Sequence, residues 1–245
     1  MEQDGYQQRL SRITTLWSLV DQAHQGSADA SSAAQRHLLE RYSGAVHRYL
    51  LGALRDADAA DELFQEFCLR FLRGDFRRAD PERGRFRDFV KTALFHLIVD
   101  HQKRRRPLPL GTDEPASTPT PFTETEQAFL SSWREELMDR AWLGLAEIER
   151  KTGQPCYAIL RYRTDQPLLS SAELAEQLGT RLGKALTVAG VRQALLRARE
   201  RFTELLLAEV EQSLQNPGQA DLEQELIDLG LLSYCKTALE RRGRR

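Results

Sequence analysis

Five of the nine prolines of this chain, Pro107, Pro109, Pro115, Pro119 and Pro121, fall within fifteen residues. Each fixes φ and removes a backbone donor, so no regular helix or central strand runs through such a block. With the Gly, Ser, Thr and acidic residues around them, they mark residues 107–126 as a linker. Leucine outnumbers valine and isoleucine together by about three to one, and no stretch sustains apolar and polar alternation, which favours helix over strand nearly everywhere. The expected fold class is all-α: two helical domains on either side of a Pro-rich linker, with no internal repeat.

The 245 residues are 41% hydrophobic, enough to build cores. Charged residues make up 29%, and no apolar run approaches the ~20 residues of a membrane span. The first residues, Met1 to Tyr6, are acidic and polar, unlike a secretory leader. A soluble, cytoplasmic protein with no membrane partner is expected. Cys68, Cys156 and Cys235 are widely spaced without a CxxC pair and are expected to be reduced, mostly buried thiols.

The formal net charge of −1 hides an uneven distribution. Asp56, Asp58, Asp61, Glu62, Glu66 and Asp75 outnumber the bases around them. From Arg77 to Arg106 the sign flips, with ten basic residues against Asp80, Glu82, Asp88 and Asp100. A second basic cluster, Arg192 to Arg201, precedes a stretch from Glu204 to Asp228 with seven acids and no base. Two basic blocks thus sit in an acidic background.

Periodicity predicts helices around Leu39, Tyr42, Val46, Tyr49 and Ala53, and around Leu63, Phe64, Phe67, Cys68, Phe71 and Leu72. A third follows the loop Asp80 to Arg85, with Phe86, Phe89, Val90, Ala93 and Leu97 along one side, and ends in Lys103-Arg104-Arg105-Arg106. Gln7 to Gln22 is a further candidate helix. In the second half, Leu130, Trp133, Leu137, Ala141, Leu145 and Ile148 mark a long helix up to Gly153, and another runs from about Cys156 to Asp165. Ser170-Ser171-Ala172-Glu173 forms a capping-box pattern opening a short helix that is expected to close at Gly179. After a connection, Thr187 caps a helix with Val188, Val191, Leu195, Ala198 and Phe202 towards the core. That is the order of a helix-turn-helix.

The opposite face of this last helix presents Ala189, Arg192, Gln193, Leu196 and Arg197, with Arg199 and Arg201 near its later turns. Small residues allow close approach, Gln pairs with an adenine edge, and Arg reaches guanine or phosphate, so the face suits a DNA major groove. An ordinary solvated basic helix has the same pattern. In the first half, Phe86, Phe89 and Phe95 are interleaved with Arg83, Arg85, Arg87 and Lys91, the composition of a single-strand binding surface. The same helical spacing suits core packing of Phe86, Phe89 and Val90.

Enzymatic signals are weak. His96 and His101 are five apart, off one another's face, and no further ligand beyond Asp100 is near, so no metal site is expected. GxxxxGK[ST] and GxGxxG are absent, and Glu135-Glu136 and Glu223-Glu225 fit solvated faces. No cofactor, metal or catalytic activity is expected.

The series Ala60-Asp61-Glu62-Leu63-Phe64-Gln65-Glu66-Phe67, then Asp80-Pro81-Glu82-Arg83-Gly84-Arg85-Phe86-Arg87-Asp88-Phe89, then Asp100-His101 running into Lys103-Arg104-Arg105, resembles region 2 of bacterial sigma-70 family factors of the extracytoplasmic-function type. The segments Cys156 to Leu160, Ser171 to Ala175 and Val191 to Arg199 are similar to their region 4. The resemblance implies an N-terminal extension 1–34, a region 2-like domain 35–106, the linker 107–126, a helical segment with a region 4-like helix-turn-helix over 127–211, and a C-terminal acidic extension 212–245 with a basic end. It implies two partners, core RNA polymerase and promoter DNA. Asp61, Glu62, Gln65 and Glu66 would dock on the largest polymerase subunit. Arg83, Arg85, Phe86, Phe89, Lys91, His96, Lys103 and Arg104 would capture the melted minus-ten strand, around a base flipped out at the loop 80–86. Thr187, Arg192, Gln193, Arg197 and Arg199 would meet the minus-thirty-five duplex.

Phe89 stands where such factors usually carry Trp, and His96 where they often carry Asn. The connection Thr180 to Leu186 is longer than the usual turn, which would tilt the recognition helix. The resemblance also implies a regulatory partner, a kinase acting on positions such as Thr118 and Thr120 or an anti-sigma protein. The acidity of the tail suggests that it masks the basic cluster 192–201. Two other functions fit the same residues: a stand-alone helix-turn-helix regulator binding a duplex operator without polymerase, and a helical adaptor whose basic blocks meet acidic partners.

Overall fold

The computed structural model describes residues 23, 28–73, 75, 85–105, 122–183, 185–214 and 217–243. All regular structure among them is α-helical, in the order α1 (Ala28–Leu54), α2 (Ala57–Arg73), α3 (Phe86–Arg105), α4 (Phe122–Thr152), α5 (Cys156–Asp165), α6 (Ser171–Leu182), α7 (Val188–Gln212), α8 (Gln219–Asp228) and α9 (Leu232–Gly243). No described helix is long and apolar enough to cross a membrane. The candidate helix Gln7 to Gln22, the loop from Asp80 to Gly84, and Thr118 and Thr120 lie outside the described residues.

The chain forms two units, one made of residues 1–136 and 211–222, the other of 137–210 and 223–245. In the first, α1 buries Leu38, Tyr42, Ala45, Val46, Tyr49 and Leu50 on one stripe, while Leu39 is only half-buried and Ala53 is exposed. Asp56 caps α2, its Oδ1 accepting from the Ala59 N–H at 3.1 Å. Leu63, Phe67 and Phe71 of α2 and Val90, Leu94, Leu97 and Ile98 of α3 complete this core.

The beginning of α4 belongs to the same core. Trp133 stacks on Tyr42 with centroids 4.7 Å apart and an interplanar angle of 6°. Phe129 lies against Trp133 at 5.8 Å and meets Tyr49 edge-on at 5.3 Å. Arg48 reaches the Glu136 carboxylate at 2.8 Å, and a Cβ on Gly44 would collide with that carboxylate, so glycine there leaves room for it. The sequence boundary is therefore displaced. Residues 122–126, expected in the linker, are helical, and 127–136, expected in the second domain, pack with the first. The aromatic rings of α4 find their partners on α1, a distance along the chain that no periodicity reports.

In the second unit, Leu137, Ala141 and Leu145 of α4 are buried, and the helix ends at Gly153 with φ 67. Trp142 packs on Phe202 of α7 at 4.6 Å and takes Tyr157 of α5 edge-on at 5.8 Å. The Ser170 capping box forms in full, with Glu173 N–H to Ser170 Oγ at 3.2 Å and Ser170 N–H to Glu173 Oε2 at 2.7 Å. Helix α6 does not close at Gly179. It continues to Leu182 and stops at Gly183, whose φ of 62 is the left-handed conformation that glycine adopts without strain. The connection to α7 is correspondingly shorter than expected.

The C-terminal extension is a folded helical pair, α8 and α9. The Gly218 N–H donates to Asp221 Oδ2 at 2.9 Å at the start of α8. At its end Leu231 N–H reaches Leu226 O at 2.8 Å and Gly230 N–H reaches Ile227 O at 2.9 Å, with Gly230 at φ 67. These are the two bonds of a Schellman closure, and Leu226 and Leu231, its apolar pair, are both buried. Cys235, Ala238 and Leu239 of α9 are buried as well, and Arg241 bonds Glu200 of α7 at 2.8 Å. This contact has the opposite polarity to the expected masking: a base of the tail meets an acid of α7.

Candidate nucleic-acid interface

Helix α2 presents Asp61, Glu62 and Gln65 to solvent because Ala60, Leu63 and Phe67 take the inward positions between them. Asp61 Oδ1 lies 2.7 Å from Nε2 of His47 on α1, and Glu62 stands 4.0 Å from His101 of α3. Glu66 differs from these acids. Its two oxygens are taken by Arg70 one turn later and by Arg104 of α3, the latter at 3.1 Å. Burial alone would push the Glu66 carboxyl up, but Arg104 and Arg70 outweigh it and hold the group below the ordinary carboxylate range.

Along α3 the expected strand-binding residues separate into two sets. Phe86 is 4% exposed and sits in the aromatic core, 5.5 Å from Tyr42 and 6.3 Å from Trp133. Its ring faces inward, so the packing alternative holds for this residue. Phe89 is half-buried beside it at 6.4 Å. Lys91 is largely covered, bonded to Glu126 of α4 at 2.7 Å and 3.5 Å from Asp88. Arg85 precedes the helix, and its carbonyl accepts from Asp88 and Phe89. His96, Lys103 and Arg104 are exposed, His96 edge-on to Phe95. Arg83 lies outside the described residues.

Two residues that periodicity did not single out join this end of α3. Arg105 donates to Asp56 Oδ2 at 3.1 Å, so Asp56 both caps α2 and holds α3. The bond to the Ala59 N–H, then the Arg105 guanidinium, lower the Asp56 carboxyl below its ordinary range. In the sequence Arg105 is visible only as part of a basic run, and Asp56 only as one acid among several.

Helix α7 is simpler. Thr187 Oγ1 accepts from the Gly190 N–H at 3.0 Å and so caps the helix. Val191, Leu195, Ala198 and Phe202 are buried, whereas Val188, expected with them, is 37% exposed in the first turn. Arg192, Gln193, Arg197 and Arg199 are exposed, and none of the three arginines makes an ion pair with a described residue. Leu196, half exposed, lies among them. Among the described residues no group of three His, Cys, Asp or Glu is placed to hold a metal ion, and His96 and His101 face different surroundings, one exposed and one buried.

Residues 38–107 match the family described as Sigma-70 region 2. The match supports a sigma-70 family factor with a role in transcription initiation. It covers α1 from Leu38, α2 and α3, the three helices that carry the acidic face and the cationic end. Searches of curated proteins and of solved structures found no match. The family implies core RNA polymerase and promoter DNA as partners.

Proposed function

We propose that this chain is a promoter-specificity subunit of the extracytoplasmic-function type, acting in the cytoplasm on core RNA polymerase and performing no bond chemistry itself. The observation that carries the reading is the region 2 match over α1 to α3, with exposed Asp61, Glu62 and Gln65 on one helix and exposed Lys103, Arg104 and Arg105 on the next. The exposed residues Asp61, Glu62 and Gln65 of α2 dock on the polymerase. The exposed cations of α3, with Phe89, follow the melted minus-ten strand, where aromatic faces stack on unpaired bases and cations track the backbone. In the second unit, a capped α6, a short connection and a capped α7 whose exposed Arg192, Arg197 and Arg199 have no ionic partner among the described residues support a region 4-like role at the minus-thirty-five duplex. Arg192 and Arg197 contact guanine or phosphate, and Gln193 an adenine edge.

The test is transcription by core polymerase with and without the full-length chain, on the DNA upstream of its own gene. Promoter-specific transcripts are expected only with the chain. Glu62→Lys places a cation in the docking face and should weaken core affinity about tenfold or more, read by titration of labelled chain into core. Absence of a complex at low salt overturns the reading. Tight duplex binding by the chain alone moves it to a stand-alone regulator.

A further inference from the structure

The acids of α2 do not form one uniform face. Asp61 and Glu62 have side chains 63% and 66% exposed, whereas Glu66 is 25% exposed and its oxygens are both engaged by arginines. Asp56 likewise faces α3 through Arg105. We infer that Glu66 and Asp56 are positioning residues that hold Arg104 and Arg105 against the backbone of the melted strand, leaving Asp61, Glu62 and Gln65 to meet the polymerase. The inference rests on the proposed function and refines the role of this one surface.

The geometry supports such a division. Arg104 and Arg105 are adjacent and so project about 100° apart around α3. Their acids, Asp56 at the cap of α2 and Glu66 within it, are ten positions apart, roughly 15 Å along the helix axis. The two guanidiniums therefore reach to different turns of α2 and fix the end of α3 in both position and rotation. A guanidinium has five donors. Arg104 and Arg105 remain 56% and 64% exposed while bonded, so donors are left for phosphate oxygens. Two long side chains ordered before binding lose less freedom when they bind. The lowered Glu66 carboxyl is in keeping with this, since Arg104 and Arg70 outweigh burial and favour its charged form.

Charge counting alone predicts the opposite result on mutation, which makes the inference testable. Removing an acid next to a DNA surface raises the local positive potential and should tighten binding. Removing a positioning acid should weaken it. The full-length chain is assembled with core polymerase and titrated with a forked DNA whose non-template strand is unpaired across the minus-ten position of the promoter upstream of its own gene. Glu66→Gln and Asp56→Asn keep side-chain shape, and Asn retains the cap on α2. Each is expected to weaken fork binding about threefold to fivefold, with unchanged core affinity and thermal unfolding. The slope of log affinity against log salt should fall by about 0.7 for every phosphate that is no longer neutralised. Adding Glu66→Gln to Arg104→Ala should change little further. Tighter or unaltered fork binding by Glu66→Gln overturns the inference, as does a loss of core affinity, which would return Glu66 to the docking face. If the wild-type chain fails to join core, the proposed function itself falls, a result separate from either of these.

Discussion

Three cations of α3 and three of α7 are similar in composition and opposite in design. On α3, Lys91, Arg104 and Arg105 are each tied to an acid of a neighbouring helix, Glu126, Glu66 and Asp56. On α7, Arg192, Arg197 and Arg199 meet no acid among the described residues and extend from a helix whose inner face is fully apolar. A duplex presents phosphates at regular spacing, so long unpaired side chains on one rigid helix can find them by rotamer search. An opened strand has no such order, and a surface that must grip it gains from being fixed in advance. Under the proposed function, basic clusters alike in sequence would serve different states of DNA through what surrounds them.

The largest expected effect tests the frame behind α3. Trp133→Ala removes the ring stacked on Tyr42 and Phe129 and should destabilise the first unit by about 3–5 kcal/mol, measured by denaturant unfolding. Next comes the pair Arg192→Ala with Arg197→Ala. Each direct base contact is worth about 1–3 kcal/mol, so duplex promoter binding by the holoenzyme should fall about a hundredfold. Unfolding should be unaltered, because neither side chain has an ionic partner among the described residues to lose; a matching drop in stability would erase the contrast with α3. Smaller again is Thr187→Ala, which removes the cap of α7 and should cost about 1 kcal/mol, with a modest loss of minus-thirty-five discrimination in competition binding.

What is legible in the sequence is what is decided locally. The Ser170 box and the Thr187 cap are written within four residues, and the helical class follows from leucine-rich periodicity. The stop of α6 is misplaced by sequence reasoning because Gly179 and Gly183 are both plausible punctuation, and only backbone conformation separates them. The boundary near residue 126 fails for another reason: Phe129 and Trp133 continue the same periodicity as Leu137 and Ala141, and their partners on α1 are some eighty to ninety positions earlier. Aromatic interleaving on α3 predicts a binding surface without telling the inward ring, Phe86, from Phe89 beside it. The pairing of Asp56 with Arg105 and Glu66 with Arg104 depends on how α2 and α3 pack, which charge patterning does not encode.

The Schellman turn at Gly230 has a practical bearing on anyone who shortens this protein. A chain stopped at Gln212 would forfeit Leu226, Leu229, Leu231, Cys235 and Leu239, all buried, together with the Arg241 brace on Glu200. Whatever those side chains cover would become wet. Altered promoter affinity in such a fragment would then measure a wounded fold and not a surface set free, so charge reversal at Arg241 is the cleaner way to ask what the last two helices do.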